Sequence, residues 1–245
     1  MKSMKTNRNL KEYVFDFIML FLAVTLSFFV ENIRDDLADR STEEKHVSSL
    51  LEDLKQDTAT FHERAIAIRQ VIAMSDSVVL LLNQPQLSTH GLQRLYFLAR
   101  SIAPLIAPLA LNDRTYDEMR NSGALRLVRN EKTADMISRY YFSNHQLAFI
   151  NQIALDRAQK KIELEARIFK SSIFATMVNT KSFAISPPAG SPMLNTDDST
   201  AINEYAIMLH YISSVSAFSE KLYNDLEKRT VALISTLQKE YKTER

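Results

Sequence analysis

Apolar residues fill the chain from Val14 to Val30, VFDFIMLFLAVTLSFFV, and beyond it they thin into a periodic stripe. A helix of these seventeen residues rises about 25 Å, and Tyr13 and Ile33 at its flanks extend it towards the roughly 30 Å of a bilayer core. A helix that is apolar on every face predicts a membrane span. A cleaved signal peptide needs small residues at its cleavage site, but Ser27 is followed by Phe28, Phe29, Val30 and Glu31. A buried core helix is the third reading of the same residues.

Further on, Val47, Leu51, Leu54, Thr58, Phe61, Ala65, Ile68, Ile72, Ser75, Val79 and Leu82 follow one another in steps of four and three. This 3.5-residue period predicts packing against another helix, and Ile66, Val71, Val78 and Leu80 widen the seam to that of a bundle. No proline or glycine intervenes between Met1 and Asn83, so span and seam are expected to form one rod. Asn83-Gln84-Pro85 ends it.

Ser88 or Thr89 can cap a short helix to about Ser101. Ile102 to Leu111, IAPLIAPLAL, is too apolar for a surface loop, while Pro104 and Pro108 forbid regular helix. An extended segment packed over the bundle is expected there, with a surface patch as the alternative. One or two helical turns over Asp113 to Arg120 end at Gly123, a left-handed cap. A third long helix runs from an N-cap at Asn130 to about Thr176, burying Met136, Ile137, Tyr140, Tyr141, Leu147, Ile150, Ile153, Ala154, Ile162 and Ile168. Residues 182–199 read as a linker-like loop. The last helix, from about Thr200, turns Met208, Ile212, Val215, Phe218, Leu222, Leu226, Leu233 and Leu237 inward. The fold class is therefore all-α: a transmembrane helix (14–33) after a short tail (1–13), continuing into an elongated antiparallel bundle (34–245) of three long helices plus short ones.

Composition reinforces this picture. Only three glycines and six prolines punctuate 245 residues, which starves the chain of turns and of phosphate-cradling loops. Thirty basic residues balance 29 acidic ones, so there is no basic field for nucleic acid. With no cysteine, disulfides, thiolate metal sites and cysteine nucleophiles are excluded. Of the histidines, only His46 sits in a Glu-x-x-His pattern, and a di-metal bundle site needs two. His210 reads as a core histidine. The aromatic groups Tyr96-Phe97 and Tyr140-Tyr141-Phe142 read as core packing, or as the lining of a small-molecule pocket. No catalytic, cofactor-binding or metal-binding residue emerges.

Orientation rests on Lys2, Lys5, Arg8 and Lys11 before the span against Arg34, Arg40 and Lys45 after it. These place the N-terminus in the cytoplasm and the bundle outside the membrane, in the periplasm of a bacterium. Asp16 is the one charge within the span. It either sits at the interface, reaching headgroup water or Lys11, or serves a partner helix or a proton. Thr25 and Ser27 would let a neighbouring helix come close.

The span opens with Asp16 and closes with Asn32, and Glu52-Asp53-Leu54-Lys55-Gln56-Asp57 follows. A second run holds Tyr116, Ser122, Gly123, Leu125, Leu127, Val128, Asn130 and the pair Tyr140-Tyr141. Together these stretches resemble a family of bacterial single-span membrane proteins designated only as a domain of unknown function. The chain departs from that pattern at Asp16, where glutamate is commoner, at Ala23, in place of a usual glycine, and at Ile33, where tryptophan is frequent. The resemblance implies architecture and no activity. The expectation is a non-enzymatic, membrane-anchored module that self-assembles or docks with another membrane protein. A subunit of a proton-driven machine using Asp16 and a small-ligand sensor bundle are the alternatives.

Overall fold

A single unbroken helix of 73 residues, α1 (Leu10–Leu82), organises the chain. The computed structural model describes residues 10–241 apart from the Glu12 side chain, so Lys2, Lys5 and Arg8 of the basic tail lie outside the described residues. At 1.5 Å per residue α1 is about 110 Å long. From Leu10 to Thr42 no described side chain is buried, and this stretch contains the one segment among the described residues that is long and apolar enough to cross a membrane. The buried-core reading of residues 14–30 is thereby overturned: none of these side chains is buried by the described residues.

From Glu43 onward α1 enters a bundle. Then come α2 (Thr89–Ile102), a 3-10 turn (Ala103–Leu105), α3 (Arg114–Ser122), a second 3-10 turn (Ala124–Leu127), α4 (Glu131–Ile168), α5 (Ser171–Thr176) and α6 (Ser199–Tyr241). The fold is all-α, and α1, α4 and α6 are its three long members. The α6 helix runs antiparallel along both of the others, as paired contacts show: Arg69 Nη1 to Glu220 Oε1 at 2.9 Å and Ser213 Oγ to Asp76 Oδ1 at 3.3 Å on the α1 side, and Arg167 Nη1 to Glu204 Oε2 at 2.7 Å on the α4 side. The last turn of α6 therefore returns to the end where α1 leaves for the span.

Every position of the α1 seam from Val47 to Leu82 is buried or half-buried, and Leu50, Val71 and Val78 extend it. Ile66 and Leu80 face outward instead, on the side of α1 away from the seam. Caps fall where local chemistry demands: the Ser88 hydroxyl accepts from Gly91 N at 3.1 Å, and Asn130 Oδ1 accepts from Lys132 N at 3.0 Å. Gly123 closes α3 at φ 76°.

Other expectations are corrected. The third long helix stops at Ile168 because Phe169 turns extended (φ −104°, ψ 145°) and drives its ring among Tyr96, Phe174 and Tyr205. In α4, Lys161 is buried and Ile162 is exposed, the reverse of the expected stripe. In α6, Phe218 points outward and Ser219 inward, and His210 is exposed. Small hydroxyl residues line the α6 seam because Ser219 and Thr230 satisfy themselves on carbonyls one turn back, at 3.0 and 2.7 Å, and allow close packing. The loop over 182–199 is no free linker. Gln93 Nε2 donates to Gly190 O at 2.8 Å, Tyr96 Oη to Met193 O at 2.8 Å, and Asn195 N to Ile168 O at 2.8 Å.

A Cβ at Gly123 would meet nothing closer than 3.9 Å, so the cost of a side chain there is purely that of its left-handed backbone. Gly123→Ala is expected to destabilise the bundle by about 1 kcal/mol, and chemical denaturation of the detergent-solubilised protein followed by circular dichroism would measure it. No change would mean the α3 cap can rearrange freely.

Candidate functional site

Residues 106–111 form an extended strap lying between α1 and α4; the expectation of an extended run over Ile102–Leu111 fails at its start, where Ile102 ends α2 and Pro104 sits in the first turn of the 3-10 helix Ala103–Leu105. Such a segment has no ladder of its own, so its backbone groups need side-chain partners. They come from both helices. From α4, Asn151 accepts from Leu109 N at 3.1 Å and donates to Leu109 O at 2.6 Å, and Asn144 Oδ1 accepts from Leu111 N at 3.1 Å. From α1, Asp57 Oδ1 accepts from Asn112 N at 2.9 Å. Asp53 accepts from Asn112 Nδ2 at 2.9 Å through one oxygen and from Thr115 N at 3.3 Å through the other. The second of these bonds caps α3 in trans, since Asp113 makes no side-chain cap bond itself.

The two stretches that carry the family resemblance meet here. Tyr140 Oη donates to Asp57 Oδ2 at 2.6 Å, and Tyr141 Oη donates to Asn112 O at 3.2 Å. Tyr116 stacks on Tyr141 with centroids 4.3 Å apart, Tyr140 meets Tyr141 edge-on at 5.0 Å, and the Arg120 guanidinium lies over Tyr116. Ser122 Oγ donates to Glu118 O at 2.7 Å and sits just before Gly123. Burial holds the Tyr140 and Tyr141 phenols far above their ordinary range, with Asp57 adding to it. Burial also raises the Asp57 carboxyl, against the opposing bonds from Tyr140 and Asn112. These groups are closed to solvent and mutually satisfied, so the cluster works as a joint that locks strap, α1 and α4 in one register. Asp16 and Asn32, the other predicted positions, lie apart from it on the bare stretch of α1, both exposed. There Thr25 and Ser27 bond to carbonyls of their own helix at 2.8 Å.

Two further polar sites escaped sequence reasoning. At the membrane-proximal end the buried Glu43 accepts from the Tyr241 hydroxyl and, at 3.0 Å, from Arg129 N, pinning α6 and the start of α4 to α1. At the distal end Lys161 is fully buried. Its Nζ donates to Ala99 O at 2.7 Å and to Glu165 Oε1 at 2.5 Å, and Tyr205 Oη reaches the same oxygen at 3.0 Å. Burial lowers the Lys161 ammonium, with Glu165 opposing. Beside this triad opens a cleft of about 440 Å³ whose walls include Arg100, Ile162, Glu165, Phe169, Phe174 and Asn195. The Arg100 guanidinium lies 5.0 Å from the Phe174 ring centre. Among the described residues no group of three or more His, Asp and Glu side chains is placed to hold a metal ion. Compared with family models, curated proteins and solved structures, the chain matches none.

Removing the Tyr140 hydroxyl strips a buried carboxylate of its shortest bond. Tyr140→Phe is expected to cost about 1–3 kcal/mol, read as a lower denaturation midpoint; an unchanged midpoint would show that the joint is not closed. Asp57 gives a pH signature. Its folded value lies above its ordinary one, so over that window the folded state holds more protons than the unfolded, and the stability it lends falls as pH rises. The wild-type stability minus that of Asp57→Asn is expected to decline as pH rises above about 4; a difference that is flat or rises with pH would contradict it.

Proposed function

We propose that this chain is a non-enzymatic, membrane-anchored module of a bacterial cytoplasmic membrane, with a cytoplasmic N-terminus and a periplasmic bundle, that associates through the bare part of α1. The observation that carries the reading is that α1 runs without a break from an apolar segment into the bundle, yet is uncovered from Leu10 to Thr42. Lipid accounts for residues up to about Ile33. The next three turns lie beyond it, and an isolated solvated helix segment gains most of its stability from packing. A second copy of the same segment is the simplest cover, and another membrane protein is the alternative. Ala23 and Ser27, with Asp16 nearer the cytoplasmic end, lie in the stretch of span a neighbouring helix would pack on. The lysines and arginines before the span support the orientation. The family resemblance supports the single-span layout and leaves partners open.

The absence of native cysteine makes the test direct. Single cysteines placed in turn at positions 34 to 42 of the full chain are oxidised in native membranes, where a bond forms only if two Cα atoms come within about 7 Å. The expectation is a helical pattern of dimer formation with a maximum on one face, Leu37 being the first position to try. Uniform absence of cross-linked dimer, together with a strictly monomeric species in mild detergent that carries no co-purifying partner, would sink the proposal.

A further inference from the structure

The distal cleft has the features of a ligand site, and nothing in the fold requires it. A core built only for stability would fill the space beside Phe169 and Phe174, because voids and exposed aromatic faces cost burial. Here a solvent-open cleft of about 440 Å³ remains beside them. Its back wall is rigid. Phe169 is held edge-on against Tyr96 at 4.9 Å and against Tyr205 at 5.9 Å, and Tyr96 is itself fixed by its bond to Met193 O and by accepting from Lys170 N at 3.0 Å.

Charge selects what could enter. Only Arg100 and Glu165 are charged among the lining residues. Lys161 and Tyr205 both bond to Glu165 Oε1, and the Lys161 ammonium pairs with that carboxylate at 2.5 Å. Arg100 forms no salt bridge among the described residues and stacks on Phe174, which leaves its remaining N–H groups turned to the cleft rather than to a carboxylate. Lys161, buried behind the wall, pairs with Glu165 at 2.5 Å, so Arg100 is the one lining charge without a salt-bridge partner among the described residues. A monoanion matches that single charge, whereas a dianionic phosphate monoester does not. Around the cation the walls are apolar: Phe169, Phe174 and the exposed Ile162.

We infer that the cleft between α2, α4 and α5 binds a small amphipathic monocarboxylate, its carboxylate on Arg100 and its apolar body against Phe169, Phe174 and Ile162. Exposure of Ile162, where Lys161 takes the buried place, is what leaves an apolar lip at the mouth. Asn195 stands at the rim as a further polar group.

The test uses the full chain in nanodiscs with 4-phenylbutanoate as probe, its binding followed by saturation-transfer NMR, and empty nanodiscs to subtract partition into lipid. Binding in the millimolar range or tighter is expected for a probe of this size. The neutral analogue 4-phenylbutan-1-ol is expected to bind at least about tenfold more weakly, since it cannot form the charge-assisted bond. Arg100→Gln is expected to weaken the acid by a similar factor and Arg100→Lys to retain most of it. Ala175→Trp, an exposed lining position on α5, is expected to fill the cleft and abolish binding without altering charge. The proposal is overturned if the acid gives no signal above empty nanodiscs, if the alcohol binds as well as the acid, or if Ala175→Trp binds like the wild type. The comparison of acid with alcohol is made on the unaltered protein and decides the matter even if a variant fails to fold.

Discussion

A strap of non-helical backbone pressed between two helices must find a partner for each N–H and C=O it buries, and the centre of this bundle is arranged around that demand. Asp53 and Asp57 supply acceptors from α1, and Asn144 and Asn151 supply them from α4. Burying two carboxylates within one helix would be costly if either were left bare. Each instead receives at least two donors, and Tyr140 ties Asp57 directly to α4. The strap thus replaces a fourth long helix: it covers apolar surface with Leu109 and Leu111 while the acids fix its height along the rod.

The same device recurs at three levels. Glu43 clasps the returning end of α6 and the start of α4, Asp53 and Asp57 hold the strap, and Lys161 with Glu165 joins α2, α4 and α6 at the far end. Between these levels lie two apolar clusters, one centred on Phe61, Met119 and Tyr223, the other on Tyr96, Phe169 and Tyr205. Long helices with greasy seams can slide by a heptad at little cost. Buried polar groups whose partners exist at only one register oppose such slippage.

How much of this was legible follows from how far each signal reaches along the chain. The α1 seam, the break at Pro85, the Ser88 and Asn130 caps and the Gly123 turn all depend on neighbours within a few residues, and the sequence displays them. The break at Phe169 has no glycine or proline to mark it; it arises because that ring fills a space bounded by Tyr96 and Tyr205, from two other helices. The exchange of Lys161 for Ile162 and of Ser219 for Phe218 has a related cause. An ideal helix drifts about 20° per heptad against a strict seven-residue repeat, so a stripe extrapolated over about five heptads slips by one residue. The site was half visible. Tyr140 and Tyr141 stood out as aromatic positions and Tyr116, Asp53 and Asp57 through the family resemblance, but no role for the two acids could be read because their partners lie 55 to 83 residues away.

An unbroken α1 also has a mechanical meaning. On the proposed reading, lipid holds α1 at one end and the bundle packs on it at the other, which makes it a lever with its fulcrum at the membrane surface. Beyond Ile33 the rod runs about 75 Å, so a tilt of roughly 10° swings the far end sideways through about 13 Å. Spans tilt by comparable angles as bilayer thickness changes. Because the pins at Glu43, Asp53 and Asp57 fasten the other helices to the same shaft, the whole bundle, distal cleft included, would be carried through that arc as one piece.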